Sequence, residues 1–186
     1  MRIHCIFEPD SPERLCTLGL SAERSGFDSV WLPNMLSARD PFLALAKLAC
    51  ASQTIRMGPV AISPFELHPL KIANSLLTLN ELSGGRANLV VGGGGGTMIG
   101  MGLKPDRRAT HPHMLGGVAE CLEFLHRAVK GDAFSFDGRL FQVRDYRPVH
   151  TGLAAPRLWL AANGPQMLAL AARSAGGVML SDISLS

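Results

Sequence analysis

The chain has few of the features that mark nucleic-acid-binding and membrane proteins. It has one tyrosine, no run of lysine and arginine interleaved with aromatic residues, and a formal net charge of only +3, so no nucleic-acid partner is expected. It has no stretch of about 18 apolar residues, so no membrane partner is expected. Hydrophobic residues make up 47% and charged residues 18%, which favours a globular protein with a buried core.

Cysteine is also scarce, and the four cysteines form no C-x-x-C pair (Cys5, Cys16, Cys50 and Cys121). We interpret them as reduced, small core residues of a cytoplasmic protein. The first five residues predict a strand and lack the apolar region and cleavage site of a signal peptide. His111 and His113 have the H-x-H spacing of some metal sites, but no acidic ligand is near in sequence, so no metal is predicted.

The pattern of apolar residues predicts strands that alternate with helices. Strands are expected at residues 3–7, 27–32, 57–62, 87–91, 158–162 and 177–180. Such alternation is typical of parallel strands with crossover helices. We expect one domain over residues 1–186, with an insertion at about 97–110 and a short hairpin at about 133–144. An open doubly wound sheet and part of a (βα)8 barrel both fit this pattern.

Local signals place the ends of several helices. Residues 10–13 (DSPE) predict a helix start capped by Asp10, and Asp40 before Pro41 predicts another. Gly26 and residues 83–85 (SGG) predict helix ends. We expect a salt bridge between Glu81 and Arg86 on the face opposite the site.

The most informative segment is a run of five glycines at residues 92–96, directly after the apolar residues 89–91. Backbone N–H groups without neighbouring Cβ atoms suit a phosphate or a planar ring, although a flexible surface loop would also use glycine. The dinucleotide fingerprint G-x-G-x-x-G fails in every register, since the sixth positions are Thr97, Met98 and Ile99. No helical pattern is expected directly after the run, which also argues against that fingerprint.

Several segments resemble one family when they are taken in order. They are residues 22–33 (AERSGFDSVWLP), 40–41 (DP) with 55–58 (IRMG), 63–69 (SPFELHP), 79–86 (LNELSGGR) running into 91–94 (VGGG), and 161–167 (AANGPQM). Together they resemble the luciferase-like monooxygenase family, the group of bacterial luciferase and coenzyme F420-dependent oxidoreductases. The resemblance extends over nearly the whole chain.

This resemblance implies an α/β fold of the (βα)8 TIM-barrel type, truncated here to about six strands. It implies a flavin-type oxidoreductase or monooxygenase that acts on a small organic substrate. The implied cofactor is F420 or FMN, with F420 slightly preferred, and the implied reaction is hydride transfer or O2-dependent oxygenation. Relatives carry a non-proline cis peptide that corresponds to Val60–Ala61. The implied cofactor-binding residues are Val60, Ala61, Gly92, Gly93, Gly94, Asn163 and Gly164, and His68 is the implied catalytic residue.

Each of these residues also has a structural interpretation. Val60 and Ala61 could form an ordinary strand interior. Asn163 could simply cap a helix that has Pro165 in its first turn, instead of helping to hold a cofactor tail at the helix N-terminus. His68 could be a polar residue that precedes a helix.

The sequence departs from the family at three points. Asn34 and Met35 stand where many relatives have Asp-His, so a general acid or base is not expected there. Residues 175–177 read AGG where relatives have Ala-Asp-Gly. Relatives also run to about 300 residues. Six strands would leave two open sheet edges, so we expect a homodimer. A non-catalytic shortened relative that binds cofactor or a partner chain is the alternative.

Overall fold

A computed structural model describes residues 2–102, 111–149 and 151–180 of the chain. Helices and strands alternate through most of it, as the apolar pattern predicted. The elements are β1 His4–Ile6, α1 Pro12–Arg24, β2 Ser29–Pro33, α2 Pro41–Ala51, β3 Arg56–Val60, α3 Pro69–Leu82, β4 Asn88–Val91, α4 Gly95–Gly100, α5 His111–Ala128, β5 Phe134–Asp137, β6 Gln142–Tyr146, β7 Arg157–Ala161, α6 Pro165–Ser174 and β8 Val178–Met179.

Six of the strands run parallel and follow one another in chain order. They form two three-stranded sheets, β1-β2-β3 and β4-β7-β8. Two isolated parallel bridges, Met57 with Ala87 and Ile62 with Val91, join β3 to β4. A doubly wound sheet would reverse its strand order at a switch point, and no reversal occurs here. The arrangement is therefore a partial (βα)8 barrel of six strands, as the resemblance implied.

The predicted hairpin is confirmed as an antiparallel insertion between β4 and β7. Strands β5 and β6 pair with each other and with no other strand in the described part of the chain. The Glu120 carboxylate of α5 accepts hydrogen bonds from the backbone N–H groups of Arg139, Leu140 and Phe141. One side chain thus fixes the hairpin turn onto a helix, because three backbone donors depend on the same carboxylate.

Side chains of the parallel strands alternate between two faces. On β2, Val30 and Leu32 join the buried cluster beneath the helices, whereas Trp31 lies outside that cluster. Leu158 and Leu160 of β7 join the same cluster, and Trp159 again does not. Because strand residues alternate with a period of two, the tryptophans belong to the inner face of the partial barrel.

The inner face is built in layers. Near the amino-terminal ends of the strands, Arg56 donates to the Asn88 side chain at 2.8 Å, and Asn88 donates to Ser29 at 3.2 Å. In the next layer, the rings of Trp31 and Trp159 pack edge to face with centroids 5.5 Å apart. Large side chains therefore fill the lower part of the inner face, below the carboxyl ends of the strands.

Strands β3 and β4 approach so closely at Gly58 that no side chain fits between them. A Cβ atom at Gly58 would overlap the Asn88 carbonyl group, which belongs to the backbone and has little freedom to move. The join between the two sheets depends on this contact, since only isolated bridges link the strands elsewhere. Gly58 is thus fixed by the packing of backbone against backbone.

Two expectations about single residues were wrong. The N-cap of α1 is Ser11, whose side chain accepts from the Arg14 N–H, and not Asp10. Cys50 is exposed, although Cys16 and Cys121 are buried and all four cysteines are free thiols. Helix α2 turns Cys50 towards solvent because its apolar stripe lies on the opposite side.

The predicted ion pair between Glu81 and Arg86 is absent from the described residues. Arg86 instead donates to the Ser52 hydroxyl and to the carbonyl oxygens of Ser52, Ala49 and Ile55. These acceptors lie at the end of α2 and in the loop after it. A planar guanidinium satisfies several such carbonyls at once, so Arg86 closes the end of α2.

The expectation that no helix follows the glycine run was also wrong. Helix α4 begins at Gly95, inside the run, and covers the first part of the predicted 97–110 insertion. Residues 103–110 of that insertion lie outside the described ranges. In the ranges that are described, no helix is long and apolar enough to cross a bilayer.

We expect Gly58→Ala to prevent folding or to lower the free energy of unfolding by more than about 3 kcal/mol, because the new methyl group meets backbone. Gly116→Ala is the matched control, since a Cβ atom on that exposed residue of α5 meets nothing within 4 Å. The control gains about 0.5–1 kcal/mol from helix propensity. Urea unfolding measures both, and a Gly58→Ala protein as stable as the parent would contradict the close contact.

The Glu23 carboxylate makes the free energy of unfolding depend on pH in the acid range. Burial raises its pKa, but the backbone N–H groups of Thr54, Ile55 and Gln53 outweigh that effect and lower the pKa from 4.5 to about 2. A carboxylate with a lowered folded pKa stabilises the fold above its unfolded pKa, and this contribution is lost as the pH falls from about 4.5 towards 2. We expect Glu23→Gln to be less stable at pH 7 and to lose less stability over that acid range.

Urea unfolding at several pH values checks this expectation. Glu81→Gln, a change at an exposed glutamate whose side chain forms no ion pair in the described structure, is the control and should keep the parent's profile. A Glu23→Gln profile with the parent's slope would show that the carboxylate does not act in this way.

Candidate functional site

The unusual backbone features of the chain meet at the carboxyl ends of the strands. The peptide bond between Val60 and Ala61 is cis, as the resemblance implied, and it lies at the end of β3. The Asn34 N–H, just after β2, donates to the Val60 carbonyl oxygen of that bond at 2.9 Å. The next strand, β4, ends at Val91 and leads into Gly92. In barrels of this type, the carboxyl rim is where sites are built.

Three small residues form a shallow floor at this rim. A Cβ atom at Gly92 would lie 3.0 Å from the Ala61 methyl group and 3.3 Å from the Ala161 methyl group. Ala61, Gly92 and Ala161 come from three neighbouring strand ends, and we call them the rim floor. Ala61 and Ala161 are half-buried. The rim floor offers a flat, apolar surface with backbone close beneath it, which suits a planar ring.

Gly93 and Gly94 continue the rim beside this floor. A Cβ atom at Gly93 would lie 2.6 Å from the Met114 sulfur of α5. Gly94 has φ +74°, in the left-handed region, and is the N-cap of α4. Its conformation lets the chain turn from β4 into α4 at once, which an ordinary residue would resist. The glycine run is thus an ordered turn, and this argues against the flexible-loop interpretation.

Asn163 and Gly164 lie at the same rim as the glycine run. Strand β7 pairs with β4 so that Leu160 lies opposite Val91. Asn163 and Gly164 follow β7 after one residue, Ala162. The N-cap of α6 is Gly164, without a side-chain hydrogen bond, and Pro165 follows it. The N-cap position is therefore Gly164 and not Asn163. The α6 N-terminus, with its partial positive charge, lies at the same rim.

His68 lies at the start of α3, where it acts as the N-cap. Its Nδ1 accepts a hydrogen bond from the Leu70 N–H at 3.2 Å, and its ring packs edge to face on Phe141 at 5.5 Å. Desolvation lowers the pKa of His68, so the neutral ring predominates at neutral pH. His68 is therefore a polar residue that caps the following helix, as its structural interpretation proposed. A catalytic role for His68 stays a prediction.

The sequence analysis did not identify Glu66, which is a carboxyl group within the rim. Asn34 donates from Nδ2 to Glu66 Oε2 at 2.7 Å and approaches the Ala61 carbonyl oxygen at 3.4 Å. Asn34 cannot titrate, but it holds a group that can. A carboxyl group therefore does lie where none was expected, and it comes from the loop after β3. Its proximity to the motif His68–Pro69 was the one signal in the sequence.

A cavity of about 370 Å³ opens beside Asn34. Two of its lining residues, Pro33 and Met35, flank Asn34 in the chain, and Glu8 and Arg39 contribute charged groups of opposite sign. Met35 and Leu36 are exposed there. The cavity offers a small, mainly apolar space at the edge of the rim.

No group of three or more histidine, cysteine or acidic residues placed to hold a metal occurs among the residues that the structure describes. The rim instead combines a cis peptide, the rim floor, an ordered glycine turn and the start of α6 on a (βα)-barrel scaffold.

The model of the luciferase-like monooxygenase family matches residues 6–185. The chain belongs to that family. Two curated relatives are 5,10-methylenetetrahydromethanopterin reductases. The one from Archaeoglobus fulgidus is 32% identical over 160 residues, covering 86% of this chain and 46% of the relative. The one from Methanolobus tindarius is 28% identical over 176 residues, covering 94% of this chain and 52% of the relative. The chain thus spans about half the length of the curated relatives it matches.

Solved structures share the fold. The coenzyme F420-dependent tetrahydromethanopterin reductase of Methanopyrus kandleri matches with a TM-score of 0.82 at 24% identity, over 97% of this chain and 55% of that one. An F420-dependent secondary alcohol dehydrogenase, solved with an F420–acetone adduct, matches with a TM-score of 0.78 at 19% identity, over 97% and 58%. An FMN-bound Baeyer–Villiger monooxygenase from Pseudomonas putida matches with a TM-score of 0.74 at 20% identity. The match covers 95% of this chain and 56% of that one.

Proposed function

We propose that this chain holds a planar flavin-type cofactor, F420 or FMN, at the rim and serves an oxidoreductase reaction on a small organic substrate. The observation that carries the proposal is the rim floor beside the cis Val60–Ala61 bond. The three residues of the rim floor, Ala61, Gly92 and Ala161, carry no side chain larger than a methyl group, whereas tryptophans fill the layer below. A flat ring is the ligand that such a surface accepts with the greatest contact.

Residues of the rim then have separate tasks. Val60, Ala61 and Gly92 support the ring from below, and Gly93 and Gly94 bring backbone to its edge. Asn163 and Gly164 lie at the start of α6, where the helix dipole favours a negatively charged tail. The bound cofactor supplies hydride chemistry, and the protein orients it and excludes water from it.

F420 is the preferred cofactor, with hydride transfer as the reaction. The support is that both curated relatives are named as reductases of a methanopterin derivative, and two of the similar structures are named as F420-dependent. FMN with oxygenation is the second candidate, because an FMN-bound monooxygenase shares the fold. The cavity beside Asn34 is the proposed place for the substrate, and a methylene-bearing tetrahydropterin is the first substrate to test.

We also propose that the protein is a cytoplasmic homodimer. Strands β1 and β8 each have one strand neighbour in the described structure, and apolar side chains are exposed on both of them (Ile6 and Val178). A second copy would cover these edges. Free thiols at all four cysteines agree with a reducing compartment.

The test is a fluorescence titration of the 186-residue chain with F420 and, separately, with FMN. We expect saturable binding at one site per chain, followed by substrate-dependent oxidation of the reduced cofactor. Repeating the second step with and without O2 separates hydride transfer from oxygenation. If neither cofactor binds saturably, the proposed function is wrong.

The rim floor itself is tested by Ala161→Leu, which places a bulky side chain where the ring would lie. We expect cofactor affinity to fall at least about tenfold, since the ring loses contact with the floor. Ala169→Leu makes the same change at an exposed position on α6 and is expected to bind as the parent does. Equal affinities for the two variants would exclude the floor as the ring site.

The proposed catalytic role of His68 is tested by His68→Asn. Asparagine is a good N-cap, so this variant keeps the hydrogen bond to the Leu70 N–H and the stability of α3. We expect turnover to fall at least about tenfold if the imidazole acts near the ring, while the lost ring contact with Phe141 lowers the melting temperature only slightly. Unchanged turnover would restrict His68 to capping. His68→Ala, which also loses about 1 kcal/mol of capping energy, shows how stability alone affects the assay.

A further inference from the structure

Glu66 is held against the cis peptide through one intermediate residue. The Asn34 N–H donates to the Val60 carbonyl oxygen, and the Asn34 side chain donates to Glu66 Oε2 at 2.7 Å. The Glu66 N–H donates to the Ser63 carbonyl oxygen at 3.1 Å, which fixes the loop that carries it. The carboxyl group therefore has a defined position relative to the rim floor.

The second carboxyl oxygen of Glu66 has no such partner. Oε1 is buried and accepts no hydrogen bond within the described structure. It faces the glycine turn, because a Cβ atom at Gly94 would lie 2.6 Å from it. A buried carboxyl oxygen without a partner is unfavourable in an isolated protein, and such atoms in native proteins call for a ligand or another explanation.

The surroundings of Glu66 favour its neutral form. Burial raises its pKa and outweighs the nearby Thr97 and Asn34 side chains, which lower it. The groups that approach it are uncharged, namely Asn34 just after β2, Gly94 at the N-cap of α4 and Thr97 within α4. Glu66 forms no ion pair among the described residues. Since Oε2 already accepts from Asn34, the proton of the neutral acid belongs on Oε1.

We infer that Glu66 is a ligand-binding residue whose Oε1–H donates a hydrogen bond to an acceptor atom, a carbonyl oxygen or a ring nitrogen, of the ring bound on the rim floor. Asn34 is the positioning residue, because it keeps Oε2 occupied and the donor directed at the rim. This inference rests on the proposed function, which supplies the ring.

Binding measured against pH tests the inference. We expect the affinity of the parent for F420, or for FMN if that is the cofactor that binds, to fall about fivefold to tenfold as the pH rises and Glu66 loses its proton. Glu66→Gln offers an N–H donor at the same place and does not titrate, so its affinity should follow only the titration of the ligand itself. Glu66→Leu should bind weakly at every pH.

A ligand-free readout keeps the two proposals apart. A carboxyl group that keeps its proton to higher pH than an ordinary glutamate is expected in the infrared pH titration of the parent. This component should be missing from Glu66→Gln and present in the control Glu81→Gln. Absence of the component from the parent overturns this inference, and so does equal affinity of parent, Glu66→Gln and Glu66→Leu at all pH values. Failure of the parent to bind either cofactor overturns the proposed function and with it the assignment of Glu66.

Discussion

The contact of backbone against backbone at Gly58 sets the geometry on which the rest of the structure depends. Strands β3 and β4 belong to different three-stranded sheets, and they meet where Gly58 leaves no Cβ atom between itself and Asn88. A larger residue there would push the sheets apart. The close approach brings Ala61 and Gly92 side by side at the carboxyl rim, and β7, paired with β4, adds Ala161. The site is thus a consequence of how two halves of a sheet are joined.

The layers of the inner face explain why only the rim can take a ligand. The Arg56–Asn88–Ser29 hydrogen bonds close the lower end, and two tryptophans with His4 fill the middle. Above them lie the small residues of the rim floor, at the ends of β3, β4 and β7. The change from large to small side chains between the two layers creates a surface with a rigid aromatic base. Such a base holds the floor in place without a ligand.

The local parts of this arrangement were predictable from the sequence. Apolar runs, capping residues and glycines determine the conformation of their own backbone, so the alternation of elements, the hairpin, the start of α2 and the end of α3 were predicted correctly. The cis bond came from resemblance, since nothing in Val-Ala indicates it. Glu66 could not be predicted, because its contact with Asn34 joins residues 32 apart. Helix α4 was missed because it begins with glycines, which resist helix formation until tertiary packing compensates.

The hairpin between β4 and β7 connects a distant surface to the rim. Phe141 packs on Phe65 at 6.2 Å and on His68 at 5.5 Å, and the two residues lie on either side of Glu66 in the chain. Glu120 in turn holds the backbone of Phe141 from α5. The loop that carries the carboxyl group is therefore supported by the inserted hairpin, through Phe141. Changes in the length or sequence of the hairpin can therefore alter the position of Glu66 while the residues of the rim stay the same.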